Sequence, residues 1–236
     1  EKIKEAWVIY KDNLGLFFLM LAFIFFLNSL GNKHGIILNT ISIILSLFLS
    51  YMVILFLLKI IEKKEFNPFS KKSIPSFKNL LNFISTYILL IVIIFSSFIL
   101  LITPFAVISL IKIAISGLIL IPIFLCAFLC IFVTVYFSVR LMFSCFISID
   151  KNKGAKQSIK ESWKMTKGNF GFILWKTFLI TLFAISGLFV FVVGVVVTYP
   201  ISMILSVMLY KSFSKNKDEN NLKKDDNIIE LETKVI

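Results

Sequence analysis

The sequence predicts an all-α integral membrane protein, and three observations carry that prediction. Of its 236 residues, 58% are hydrophobic and 27 are Phe, whereas a soluble domain is about 45–50% apolar. The apolar residues form runs of the length that crosses a bilayer, about 20 residues. The basic residues lie mostly in the gaps between these runs. A water-facing surface could not hide this much apolar area, so we expect the chain to lie in a membrane.

Six apolar runs predict a membrane domain of residues 1–213, followed by a flexible charged tail of residues 214–236. The predicted spans are residues 14–30, 36–58, 80–102, 114–148, 170–190 and 192–210. Pro104 and Lys112 mark the turn after the third span, and a re-entrant path for residues 105–111 stays open. The fourth run exceeds 30 residues, so it must tilt, kink at Pro122 or begin as a separate short helix. The last two spans should be joined by a turn near Gly194 or before it.

The basic residues also predict the orientation. The gaps in chain order, from the N-terminal segment to the tail, hold three, one, six, one, six, no and six lysines. By the positive-inside rule, both termini and the two basic loops lie in the cytoplasm, so a multi-pass protein of the cytoplasmic membrane is expected. Topology therefore explains the net charge of +12 better than nucleic-acid binding does, and no nucleic-acid partner is predicted.

A basic amphipathic segment in residues 149–175 leads directly into an apolar run. Asp150 or Asn152 is predicted to cap a helix there, and Gly168 to end it in the left-handed conformation. One stripe of that helix recurs at three- and four-residue steps and comprises Ala155, Ile159, Ser162, Trp163 and Thr166. The other side carries Lys153, Lys156, Lys160, Lys164 and Lys167.

Lysines on one face and Trp on the other are typical of an interfacial helix at an anionic membrane surface. Two alternatives stay open. One is an ordinary cytoplasmic loop helix that obeys the positive-inside rule. The other is a dedicated lipid-headgroup site built from the same lysines.

The start of the chain repeats this segment. The pattern I-K-E-[AS]-W-x-x-x-K-x-N-x-G occurs without a gap at residues 3–15 and 159–171. Trp7 and Trp163 are the corresponding interfacial anchors. Because four predicted spans separate the copies, both enter the membrane from the same side, which predicts an internal parallel repeat.

Little in the sequence predicts catalysis. The predicted spans contain no Asp or Glu, and His34, the single His, lies in an outward turn without acidic neighbours. No metal cluster, nucleophile–base pair or phosphate loop is visible. We therefore expect no enzyme activity, no cofactor and no metal site.

Arg140 is the exception in the otherwise apolar fourth span, and Tyr136 lies four residues earlier on the same helix face. Arg140 either snorkels or bonds to carbonyls and so holds the bundle together, or it contacts an anion or a lipid phosphate. Both interpretations stay open.

Residues 140–210 resemble a known family. The features are Arg140, an I-D pair before a lysine-rich helix, the run S-I-K-E-S-W-K-M-T-K-G-N-F, and an apolar hairpin with Pro200 and Tyr210. The segment resembles the membrane domain fused to some bacterial glycerophosphodiester phosphodiesterases, and its stand-alone relatives, the YciC-like multi-pass proteins. The resemblance implies a six-span bacterial inner-membrane protein, and it carries no phosphodiesterase residues over to this chain.

Three functional hypotheses follow. The first is a non-enzymatic inner-membrane protein that organises or senses lipid, or assists a partner, through basic interfacial helices. The second is a small transporter or lipid flippase that uses Arg140 in a cleft between the repeats. The third is a membrane subunit of a lipid-phosphate enzyme. The expected partners are anionic membrane lipids, and a protein partner or homo-oligomer stays open.

Overall fold

The computed structural model describes residues 2–19, 22–23, 35–62, 76–110 and 117–233. Every regular element in these ranges is helical, which confirms the predicted class. The helices are α1 (Lys2–Asp12), α2 (Gly35–Ile61), α3 (Phe77–Leu110), α4 (Gly117–Leu141), α5 (Ser144–Asp150), α6 (Ala155–Thr166), α7 (Phe170–Ser186) and α8 (Phe191–Thr233), with a 3₁₀ turn at Gly187–Val190 before α8. Residues 14–19 and 22–23 are also helical.

Several of these helices are able to cross a membrane. Four stretches of the described residues are long and apolar enough, namely Asn39–Ile61, Phe77–Ser96, Ile131–Asp150 and Gly194–Asn216. A fifth is added if α6 and α7, which meet at a bend of 102°, count as one. The first predicted span lies largely outside the described residues, and α7 alone has 17 residues. The multi-pass architecture is therefore confirmed, and the number six stays a prediction.

The turn predicted between Pro104 and Lys112 does not begin at Pro104, because α3 continues through this residue to Leu110, and Lys112 lies outside the described residues. The 34 residues of α3 make a helix about 51 Å long at 1.5 Å per residue. A break in hydrocarbon would leave several carbonyls without partners, whereas a proline inside a helix removes one hydrogen bond. Residues 105–110 thus extend α3, and Ile111 lies outside the described residues.

The long fourth run divides near its end, a position that none of the predicted alternatives named, and residues 114–116 at its beginning lie outside the described residues. Helix α4 passes Pro122 without interruption, and a turn at residues 142–143 separates it from α5. Phe143 is fully buried at this turn. Burial of this ring fixes the position of the break, which hydropathy alone did not indicate.

The last two helices are joined before Gly194, within the range that the sequence predicts. The turn lies at Gly187–Val190, and Gly194 is already inside α8. An added Cβ on Gly187 would lie 2.2 Å from Oγ1 of Thr198, and one on Gly194 would lie 2.2 Å from the Gly187 carbonyl oxygen. Two residues without side chains thus allow the backbones of this hairpin to approach closely.

Helix α8 continues through Pro200 to Thr233. Residues 214–233, predicted as part of a flexible tail, are therefore helical. Residues 201–233 contain neither Gly nor Pro, so nothing in the local chemistry ends the helix after the apolar run.

The chain divides into two compact units, one of Glu1–Ser76 with Leu174–Ile236 and the other of Phe77–Ile173. In the first unit, α1 and α2 pack on α8. The Tyr10 hydroxyl donates a hydrogen bond to the Val196 carbonyl (3.5 Å).

The second unit consists of α3, α4, α5, α6 and the first turn of α7. Helix α6 contacts each of α3, α4 and α5. The apolar core of this second unit includes the fully buried Phe83, Phe143, Ile147 and Ile173. This unit holds most of the predicted site residues, Trp7 being the exception.

Candidate functional site

Helix α6 packs against the end of α4 in the opposite direction. The Ser162 hydroxyl donates to the Arg140 carbonyl (2.8 Å). The Trp163 ring lies 6.0 Å from the Phe137 ring, and the Phe170 ring lies 5.1 Å from the Tyr136 ring. The two helices are therefore antiparallel, because later residues of the α6 side contact earlier residues of α4.

The ends of α6 follow the prediction only in part. The residue that caps its start is Gly154, whose backbone is extended (φ −66°, ψ 161°) and provides no side-chain cap. The predicted caps are wrong, because Asp150 ends α5 and Asn152 lies in the connecting loop with φ +50°. The predicted end is confirmed, since Gly168 has φ +89° just after the helix.

The buried face of α6 carries hydroxyl groups at four-residue steps. Ser158, Ser162 and Thr166 are all fully buried. The Ser158 hydroxyl donates to the Lys153 carbonyl (3.2 Å). Small side chains with a hydroxyl group allow neighbouring helices to approach closely, and each hydroxyl donates its hydrogen bond to a backbone carbonyl. The buried face of α6 therefore packs against its neighbours without unpaired hydroxyl groups.

The same hydroxyl network reaches α3 and α5. The Ser148 hydroxyl also donates to the Lys153 carbonyl (3.2 Å). The Thr86 hydroxyl of α3 donates to the Asn82 carbonyl (2.7 Å) and lies 3.3 Å from the Ser148 hydroxyl. These bonds fix the beginning of α6 relative to its neighbours in this unit.

The predicted stripe is therefore shifted. Ser162 and Thr166 are buried as expected, whereas Ala155, Ile159 and Trp163 are half-buried at its edge. Its centre includes Ser158, four residues before Ser162, whereas the predicted stripe started from Ala155 and Ile159 and so passed beside it.

Glu161 forms ion pairs with two lysines at the α5–α6 loop. Its Oε1 pairs with Nζ of Lys151 (2.8 Å), and its Oε2 pairs with Lys153. Burial raises the pKa of the Glu161 carboxyl, but the hydrogen bonds and charges of Lys151 and Lys153 lower it by more, so its pKa lies below the ordinary range. The structure thus brings Lys153 to Glu161 and away from the lysines farther along α6.

The remaining predicted lysines form an exposed row, which we call the lysine face: Lys156, Lys160, Lys164 and Lys167. Among the described residues, none of them forms an ion pair. The same part of the chain contains no group of three or more His, Cys, Asp or Glu side chains that could hold a metal ion.

Arg140 lies among three aromatic rings. Its guanidinium carbon is 5.2 Å from the Tyr136 ring centre, 5.0 Å from that of Trp163 and 5.5 Å from that of Phe170. Cation–π contacts form within about 6 Å of a ring centroid, so all three rings stabilise the charge.

The polar atoms of Arg140 are also engaged. Its Nε donates to the Tyr136 hydroxyl (3.2 Å), and its Nη1 donates to Oγ1 of Thr166 (3.3 Å) and to the Trp163 carbonyl (3.5 Å). Within the described residues no carboxylate pairs with it. The structure therefore brings the predicted pair Arg140 and Tyr136 together, and Arg140 joins α4 to α6.

A groove of about 440 Å³ lies between α3 and α6. Its lining residues are Leu89, Ile93, Lys156, Ile159, Lys160, Trp163 and Lys164. The aliphatic and Trp side chains are half-buried, and the lysines are exposed. The lining surface is thus almost wholly apolar, since Lys156, Lys160 and Lys164 contribute their aliphatic stems to it. Their ammonium groups lie beyond the lining, at the exposed ends of these side chains.

In the first unit, the N-terminal copy of the motif shows the same pattern of burial. Ala6 and Tyr10, like their counterparts Ser162 and Thr166, are at most 4% exposed. The Asn13 carbonyl accepts the backbone N–H of Phe17 (3.1 Å), just as the Asn169 carbonyl accepts that of Ile173 (3.0 Å). Trp7 is 47% exposed, as suits the predicted interfacial anchor. These parallels support the internal repeat, which stays a prediction.

The helices and their apolar lengths define a multi-pass helical membrane domain. The chain belongs to the family described as the membrane domain of glycerophosphoryl diester phosphodiesterase, whose match covers residues 26–216. The resemblance seen in the sequence is thereby confirmed, and the matched segment includes Arg140 and the whole of α6. No curated protein and no solved structure matches the chain.

Proposed function

We propose that this chain is a non-enzymatic, lipid-binding protein of the cytoplasmic membrane that holds the anionic leaflet surface through the lysine face. One observation carries the proposal. Glu161 forms ion pairs with Lys151 and Lys153, whereas the four lysines of the lysine face are exposed and have no acidic partner among the described residues. Their charge is available to an external anion.

The energies favour an anionic surface as that partner. Like charges three or four residues apart on a helix destabilise it by about 0.2–0.5 kcal/mol per pair. Within α6 the lysine face contains two such pairs, Lys156 with Lys160 and Lys160 with Lys164, because Lys167 follows the helix in extended backbone. The repulsion therefore amounts to about 0.4–1 kcal/mol. Each lysine near an anionic leaflet contributes about 1 kcal/mol, so binding to such a surface outweighs the repulsion.

The proposed orientation places both termini and both basic loops in the cytoplasm. It is supported by the alternation of lysines between the gaps. The half-buried Trp163 beside the lysine face and the exposed Trp7 on α1 suit the level of the lipid headgroups, where amphipathic rings concentrate.

A second candidate is a membrane subunit that presents lipid to a separate lipid-phosphate enzyme. The family description favours it, because it names the membrane domain of a phosphodiesterase. Copurification of such an enzyme with the chain, and the same loss-of-function phenotype for both, would support this candidate over a purely organising role.

The transporter hypothesis receives less support from the surroundings of Arg140. An anion bound in bidentate fashion needs two adjacent guanidinium donors. Nε and Nη1 of Arg140 already bond to Tyr136, Thr166 and Trp163. Bidentate binding of an anion through Nε or Nη1 of Arg140 would therefore compete with bonds that join α4 to α6.

Lipid enrichment in nanodiscs tests the proposal. The protein is reconstituted in an equal mixture of phosphatidylglycerol and phosphatidylcholine, and the lipids that leave with it are counted by native mass spectrometry. We expect phosphatidylglycerol to be enriched, and the enrichment to fall when all four lysines of the lysine face become Gln. The matched control converts four lysines near the C-terminus, at positions 215, 217, 223 and 224. No enrichment, or equal loss in both variants, would contradict the proposal.

A further inference from the structure

We propose that the groove between α3 and α6 holds one anionic phospholipid, with its phosphate on Lys156, Lys160 and Lys164 and an acyl chain against Leu89 and Ile93. The proposal rests on the proposed lipid-binding function and names the occupant of one defined place on that surface. The groove volume of about 440 Å³ falls in the range of about 300–1,000 Å³ that is typical of small-molecule sites.

The spacing of the groove residues suits a lipid. Lys156, Lys160 and Lys164 follow one another at four-residue steps, so they line about 12 Å of α6 at 1.5 Å per residue. Leu89 and Ile93 lie one helical turn apart on α3. They belong to the apolar part of Phe77–Ser96, one of the stretches able to cross a membrane. The groove thus joins a row of cations to the beginning of a hydrocarbon-facing surface.

Charge complementarity selects an anionic occupant. Three of the lining residues are exposed lysines, and none of the seven is acidic. Glu161, which is the one acid of α6, is held by Lys151 and Lys153 outside the lining. A free phosphate would use the lysines but leave the apolar side without a partner, whereas a phospholipid satisfies both.

Arg140 holds Trp163, one of the residues that line the groove, in place. Its guanidinium stacks on the Trp163 ring at 5.0 Å and bonds to the Trp163 carbonyl. Trp163 is itself a lining residue of the groove. Arg140 is therefore a positioning residue for this site, because it holds the indole against which the lipid packs.

The experiment separates a groove lipid from general enrichment. The chain is purified from nanodiscs that contain a small share of phosphatidylglycerol in phosphatidylcholine, and collisional activation then removes loosely bound lipid before the retained molecules are counted. We expect one retained phosphatidylglycerol per chain. Ile93→Trp should abolish this retention by filling the groove, while the enrichment in an equal lipid mixture persists because the lysines are unchanged.

Two further variants complete the test. Ile88→Trp adds the same bulk on α3 at a position that is 54% exposed and outside the groove lining, so it should keep the retained lipid. Lys160→Gln should weaken retention about fivefold, which corresponds to about 1 kcal/mol for one lysine near an anionic group. Unchanged hydrogen exchange of the α6 amides verifies that each variant is folded.

Each other result has a defined meaning. Enrichment without a retained lipid, retention of phosphatidylcholine to the same extent, retention of inorganic phosphate alone, or retention in Ile93→Trp would overturn the groove proposal and leave the proposed function standing. Absence of both enrichment and retention would overturn the two together.

Discussion

Replacing Arg140 with Ala should release α6 from α4. The substitution removes three cation–π contacts and the hydrogen bonds to Tyr136, Thr166 and the Trp163 carbonyl. A cation–π contact contributes about 0.5–2 kcal/mol, and a hydrogen bond from a charged donor about 1.5–3 kcal/mol. Because Arg140 is half-buried and these contributions are not additive, we expect a loss of about 2–4 kcal/mol in the docking of α6.

Hydrogen exchange of the α6 backbone amides measures this loss directly. A change of about 2–4 kcal/mol corresponds to exchange that is roughly 30- to 700-fold faster. Arg140→Lys should give an intermediate result, since a lysine keeps the charge but loses the planar fork that stacks and bonds. Lys160→Ala removes an exposed charge from the same helix and should leave the protection of α6 nearly unchanged.

One pattern would refute the reasoning. If Arg140→Ala left the protection of α6 at the wild-type level and at the same time abolished lipid scrambling or anion uptake, Arg140 would be a ligand-binding residue and the transporter hypothesis would gain the support it now lacks. Faster exchange in α6 alone supports the structural role.

Three further predictions test other contacts. Because the pKa of Glu161 lies below its ordinary value, its ion pairs should stabilise α6 fully above the ordinary glutamate pKa of about 4.3 and be lost as the pH falls through the lower folded value. Hydrogen exchange of α6 measured from neutral to acidic pH should show this loss of protection. Glu161→Gln should remove the pH dependence. Gly187→Ala should destabilise the α7–α8 hairpin by about 1–3 kcal/mol, because the new Cβ would meet the Gly194 backbone; Gly171→Ala, where the space is open, is the control in thermal unfolding, and equal melting temperatures would contradict the close approach. Ser162→Ala should cost about 1 kcal/mol through loss of the bond to the Arg140 carbonyl, measured as faster α6 exchange; an effect as large as that of Arg140→Ala would show that the serine matters more than its single bond.

The helical class and the family could be predicted from the sequence because they depend on signals that are local and strong. Long apolar runs predict helices in a membrane, and Gly168 ended α6 as its backbone freedom indicated. The errors lie where tertiary context outweighs local chemistry. Local chemistry predicts a turn beginning at Pro104, although a helix in lipid keeps its remaining hydrogen bonds through a proline.

The candidate site was predicted as a set of residues but not as an arrangement. Arg140, Tyr136 and the basic helix were all identified, since an intramembrane charge and regular lysine spacing are visible in sequence. The separation of Lys153 from the lysine face depends on Glu161, whose partners are ten and eight residues away across a loop. The groove depends on Leu89 and Ile93 of α3, and no local pattern pairs them with α6.

The selectivity of the chain for anionic lipid tests the central claim most directly. Spin-labelled phosphatidylglycerol and phosphatidylcholine are compared in bilayers that contain the wild-type chain or the variant with all four lysines of the lysine face changed to Gln. We predict that the wild type immobilises phosphatidylglycerol in preference, and that this preference weakens as salt shortens the Debye length from about 30 Å to about 3 Å. The variant should show little preference at any salt concentration. Equal immobilisation of the two lipids by the wild-type chain at low salt would contradict the account.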